Sequence, residues 1–87
     1  MFVSSFAAKL HAIPLGAHRG VYRGRTYLVS KEVLGDRKII KLYARETGGR
    51  DFVSANAYLV RGEWQLKPCE MPAQKIIQFV DEIDLRL

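Results

Sequence analysis

Between Val21 and Lys67 the chain alternates apolar and polar residues in short runs, and glycine-containing pairs punctuate them: Arg23-Gly24, Gly35-Asp36, Gly48-Gly49 and Arg61-Gly62. Alternation at period two sends successive side chains to opposite faces, so each run reads as a half-buried strand. Glycine-containing dipeptides between such runs are hairpin signals, and Gly35-Asp36 reads as a two-residue turn. From Pro72 to Leu87 the period changes. Ala73, Ile76, Ile77, Val80, Ile83 and Leu87 recur at helical spacing, with Phe79 widening the stripe at one edge. Strands in series followed by a helix predict an α+β domain rather than a parallel α/β sheet. The expected architecture is one domain over 1–87, with an antiparallel sheet of four to five strands. Residues 1–19 form an N-terminal segment, 20–68 a β-meander, and 70–87 a C-terminal helix packed on one face of the sheet.

The alternation also assigns faces. Arg37 to Glu46 is the clearest strand: Ile40, Leu42 and Ala44 suit a core, while Arg37, Ile39, Lys41, Tyr43 and Arg45 point the other way. In Phe52 to Val60, the inward set is Val53, Ala55, Ala57 and Leu59, whose small alanines leave a seat for a helix. Val21-Tyr22 and Arg25 to Val33 read as strands joined at Arg23-Gly24. Tyr27 and Val29 share one face there, and Thr26, Leu28 and Ser30 the other. Ala17 to Gly20 reads as a loop. Pro68 ends the sheet because it lacks a backbone donor, and Pro72 suits the first turn of a helix. Near the start, Val3, Phe6, Leu10 and Ile13 share one face of a short helix. The first acidic residue is Glu32, an acid-free opening that also loosely resembles an organellar transit segment. The apolar periodicity favours the helix.

Composition narrows the functional classes. With 48% hydrophobic and 26% charged residues the chain is globular. A single cysteine, Cys69, excludes an internal disulfide and fits a reducing compartment, so a cytoplasmic location is expected. No apolar run approaches the roughly 20 residues that span a bilayer, so no membrane partner is expected. The net charge of +5 is uneven: residues 1–68 hold 12 Lys/Arg against 5 Asp/Glu, and 69–87 hold 2 against 4. That asymmetry predicts a basic face for an anionic partner and an acidic helix turned elsewhere.

The candidate site is that basic face. Arg37, Lys41 and Arg45 line one side of a strand with Tyr43 among them, and Arg23, Arg25, Tyr27 and Lys31 extend it on the neighbouring strand. Phe52 and Tyr58 add aromatic area. Cations for phosphates and flat rings for bases are what nucleic acid requires. A solvated sheet face, with long cationic stems lying over rings and guarding edges, explains the same residues more plainly. Other candidates are thinner. Cys69 before a helix can be a reactive thiol, but no second cysteine accompanies it, and a small buried cap under Trp64 is the simpler role. His11 and His18 lack the third and fourth ligands that zinc needs. Gly48-Gly49-Arg50 lacks the helix that follows a phosphate-binding loop. Carboxylates are few in the sheet, and no catalytic triad can be assigned. The expectation is a small non-enzymatic module, without cofactor or metal, that contacts nucleic acid or a ribonucleoprotein. An adaptor or inhibitor of an acidic protein is the alternative, and an enzyme using Cys69 the third.

Overall fold

The computed structural model describes residues 4–86. Its elements are α1 (Ser4–Ala12), β1 (Gly16–Tyr22), β2 (Arg25–Leu34), β3 (Ile39–Glu46), β4 (Phe52–Val60), β5 (Glu63–Pro68), α2 (Ala73–Glu82) and β6 (Asp84–Arg86). The sheet has six strands in the order β5-β4-β3-β2-β1-β6, and every pair is antiparallel. The α+β class and the meander are as expected. The strand count is not: of two stretches read otherwise in sequence, one lengthens β1 and the other, β6, adds a sixth strand.

One is the first half of β1. The strand pairs with β2 along its whole length, from Gly16 opposite Lys31 to Tyr22 opposite Arg25. The expected loop at Ala17 to Gly20 is therefore part of a strand. The other is β6. The helix expected to run to Leu87 stops at Glu82, Ile83 turns to extended backbone, and Asp84 to Arg86 pair with Arg19 to Val21. Val80, Ile83 and Leu87 continue a helical spacing in sequence, while Ile83 and Leu85 alternate as an extended segment does. Pairing decides between them, because it satisfies backbone groups of β1 that would otherwise lie open at the edge. Gly20 makes that approach possible: a Cβ there would meet Ile83 Cδ1 at 3.0 Å and Leu85 Cδ2 at 3.1 Å.

The turns follow their sequence signals only in part. Arg23-Gly24 and Arg61-Gly62 are two-residue turns with both residues at positive φ, as a right-twisted hairpin demands. Gly35-Asp36 is not a two-residue turn. Gly35, Asp36 and Arg37 all have positive φ, and β3 begins at Ile39, opposite Leu34. Gly48-Gly49 sits in a longer loop that closes where the Glu46 N–H donates to the Asp51 carbonyl at 2.8 Å.

Both helices lie on one face of the sheet. Val29, Ala44, Val53, Ile76 and Phe79 are fully buried there, with Ala55 and Ala57 as the expected small seat. Phe79, at the margin of the sequence stripe, is central. Its ring lies 4.9 Å from that of Tyr22 and 5.3 Å from that of Tyr27. Ile76 and Val80 are buried as expected, whereas Ile77 and Ile83 are half-buried. Ile77 lines a groove against Phe6 and Lys9 of α1. Phe6 and Leu10 bury the α1 face as expected, and Ile13, just past the helix end, is buried with them; Val3 and Leu87 lie outside the described residues.

Lys31 ties α1 to the sheet. It is only 5% exposed, and its ammonium donates to the carbonyls of Leu10 (2.8 Å), His11 (3.1 Å) and Ile13 (2.7 Å). These carbonyls end α1, where backbone acceptors lack helical partners and positive charge is favoured. Burial pushes the Lys31 ammonium below its ordinary pKa. The expectation that Lys31 extends the basic face is thus wrong: it shares the core face with Tyr27 and Val29.

Candidate nucleic-acid interface

Among the described residues, no helix covers the opposite face of the sheet, and register decides which side chains meet there. Residues directly opposite in paired strands share a face. One row runs Arg86, Arg19, Leu28, Arg45, Phe52, and another runs Glu32, Lys41, Asn56, Lys67. Between them lie Ala17, Ser30, Tyr43 and Ser54. Tyr43 is 46% exposed and Phe52 38% exposed, with ring centroids 6.5 Å apart and planes tilted by 31°. Phe52 stands at the rim of the sheet, and Lys75 Nζ lies 6.0 Å from its ring centre. Tyr58 is half-buried farther along β4, where Asn56 Nδ2 donates to its hydroxyl at 3.3 Å. Leu28, Leu34 and Val60 are also exposed on this side.

The six site residues read from sequence divide into three groups. Lys41, Tyr43 and Arg45 come together on the helix-free face. Arg37 is in the turn before β3, outside the strand that was expected to present it. Arg23 and Arg25 lie toward the helical side, where they help line a cleft of about 680 Å³ with Tyr22, Tyr27, Lys75 and Gln78. Arg23 is held there by Glu82, through Nε to Oε1 at 3.1 Å and Nη2 to Oε2 at 3.0 Å. Arg25 approaches Glu46 at 3.4 Å. Three cations outside that set, Arg19, Lys67 and Arg86, join the exposed face, Arg86 paired with Asp84 at 3.3 Å. Arg19 was hidden by the loop reading, and Lys67 by its place on the last strand of the meander.

Ion pairing sharpens this division. Among the described residues, Arg19, Lys41, Arg45 and Lys67 have no salt-bridge partner, whereas the cations of the cleft are paired. In the cleft, Tyr27 Oη donates to Asp51 Oδ2 at 2.6 Å and Lys75 Nζ donates to Asp51 Oδ1 at 2.6 Å. Burial raises the Asp51 carboxyl, but hydrogen bonds from Lys75 and Tyr27 outweigh it and leave the carboxyl below its ordinary value. Burial, then the bond to Asp51, pushes the Tyr27 hydroxyl well above its ordinary value. Burial raises Tyr22 as well.

The remaining candidates are separate from this face. Cys69 is half-buried rather than buried, and its N–H donates to the Ser54 carbonyl at 2.9 Å. His11 donates to the Ala7 carbonyl and lies edge-on to Trp64, while His18 donates to the Leu15 carbonyl. Among the described residues, no group of three or more His, Cys, Asp or Glu is placed to hold a metal ion, and no helix is long and apolar enough to cross a membrane. Compared with protein-family models, curated proteins and solved structures, the chain matches none.

Proposed function

We propose that the chain is a small non-enzymatic module that binds nucleic acid on the helix-free face of its sheet. The observation that carries this reading is the exposed pair Tyr43 and Phe52 beside Arg45, on a face where Arg19, Lys41 and Lys67 are also unpaired among the described residues. Aromatic rings on a solvent-facing sheet stack bases, and unpaired cations replace the counterions of phosphates.

The test is fluorescence anisotropy of labelled oligonucleotides over a series of salt concentrations. Four phosphate contacts on a single strand give a slope of log affinity against log salt of about −3. Arg45→Ala reduces that slope by about 0.7 and weakens all sequences alike. Tyr43→Ala costs about 1–3 kcal/mol of single-strand binding and leaves the slope nearly unchanged, because stacking releases no counterions. No binding at low salt refutes the proposal. A second reading has its own observation: Leu28, Leu34 and Val60 give the same face an apolar share that suits an acidic protein partner. Failure with every oligonucleotide favours that reading.

A further inference from the structure

We propose that the groove beside Tyr43 reads one unpaired guanine, an inference that rests on nucleic acid being the ligand of this face. The groove has a volume of about 360 Å³, and its polar lining is Ser30, Glu32, Lys41, Tyr43, Ser54 and Asn56. That volume lies within the range of small-ligand sites, roughly 300–1,000 Å³. Its polar groups come from three adjacent strands in fixed register: Ser30 opposite Tyr43, Tyr43 opposite Ser54, Glu32 opposite Lys41, and Lys41 opposite Asn56. A carboxylate and an ammonium therefore stand side by side, next to an exposed ring.

Glu32 is the feature that a phosphate-binding surface does not explain. It is exposed, it repels phosphate, and among the described residues neither it nor Lys41 has a salt-bridge partner. A carboxylate accepts only, and an ammonium donates only. The Watson–Crick edge of guanine matches that pair: N1–H and the N2 amino group are adjacent donors for Glu32, and O6 is an acceptor for Lys41. Cytosine and adenine each offer one amino donor on that edge, and thymine offers one ring N–H between two carbonyls. The edge is free only in an unpaired base, so the ligand is single-stranded, with the guanine ring stacked on Tyr43.

The experiment compares labelled oligothymidylates in which one central base is thymine, guanine, hypoxanthine, adenine or cytosine, with the guanine-containing duplex alongside. The guanine strand is expected to bind about tenfold more tightly than the others, within the range for a bidentate base contact. Hypoxanthine, which lacks the N2 amino group, loses most of that gain. Glu32→Gln brings the guanine strand to the level of the others, while Glu70→Gln, at an exposed acid in the bend between β5 and α2, keeps the preference. Equal affinity for all single strands overturns the guanine inference and leaves the proposed function standing. Tighter binding to the duplex also overturns it. Absence of binding to any strand removes the proposed function itself.

Discussion

Replacing Lys31 by methionine tests how α1 is held to the sheet. Methionine keeps much of the apolar stem and removes the ammonium. Three carbonyls at the end of α1 then lose the ammonium, and two of them, His11 and Ile13, are left with no donor. Each hydrogen bond to a charged group contributes roughly 1.5–3 kcal/mol, and a cation at a partly buried helix C-terminus up to about 2 kcal/mol more. Against this, the variant no longer buries an ion, which by itself costs several kcal/mol. The balance is a loss of about 2–4 kcal/mol, since the His11 and Ile13 carbonyls are left without a donor and Leu10 keeps only the Ile13 N–H at 3.3 Å. In a domain of this size that lowers Tm by roughly 10–25 °C. Urea unfolding followed by circular dichroism measures the loss, and amide exchange locates it: protection should fall first in Ala8 to Ala12. A variant within about 0.5 kcal/mol of wild type, the range of an ordinary surface change, refutes the reasoning.

Phe79→Ala should cost about 3–5 kcal/mol, and Ile77→Ala distinctly less, because only the first side chain is fully enclosed; equal losses in urea would show that α2 is rotated from its described position. Because the folded Asp51 carboxyl lies below its ordinary value of 3.8, its contribution is present above that pH and is lost as pH falls through the window beneath it. Asp51→Asn should therefore flatten the acid limb of stability against pH, and an unchanged limb would contradict the network. Tyr27, raised above its ordinary 10.0, contributes stability present below pH 10.0 and lost as pH rises beyond it, which alkaline unfolding monitored by tyrosinate absorbance detects. A Tyr27→Phe variant with the same alkaline limb would contradict that assignment.

The central meander was legible because β2, β3 and β4 alternate cleanly, and the same alternation located Lys41, Tyr43 and Arg45 on one face. The first half of β1 was missed because GAHRGVY contains two glycines and few strand-forming residues; its pairing with β2 on one side and β6 on the other makes it a strand. β6 left no signal, since three residues carry no period and the apolar spacing continues that of α2. Lys31 did leave one. Tyr27, Val29, Lys31 and Val33 alternate inward, so a lysine in that register required buried acceptors. Arg23 and Arg25 could not be placed by charge alone, because their partners Glu82 and Glu46 are 59 and 21 residues away.

The most direct test of the proposed binding face is a nitrogen-proton NMR titration with a short single-stranded oligonucleotide at low salt. The account predicts the largest shifts at Arg19, Leu28, Ser30, Lys41, Tyr43, Arg45, Phe52 and Ser54, with little change at Gln74 and Gln78 in the cleft on the helical side. Shifts concentrated at Arg23, Arg25, Gln74 and Gln78, or no shifts at all, would contradict it.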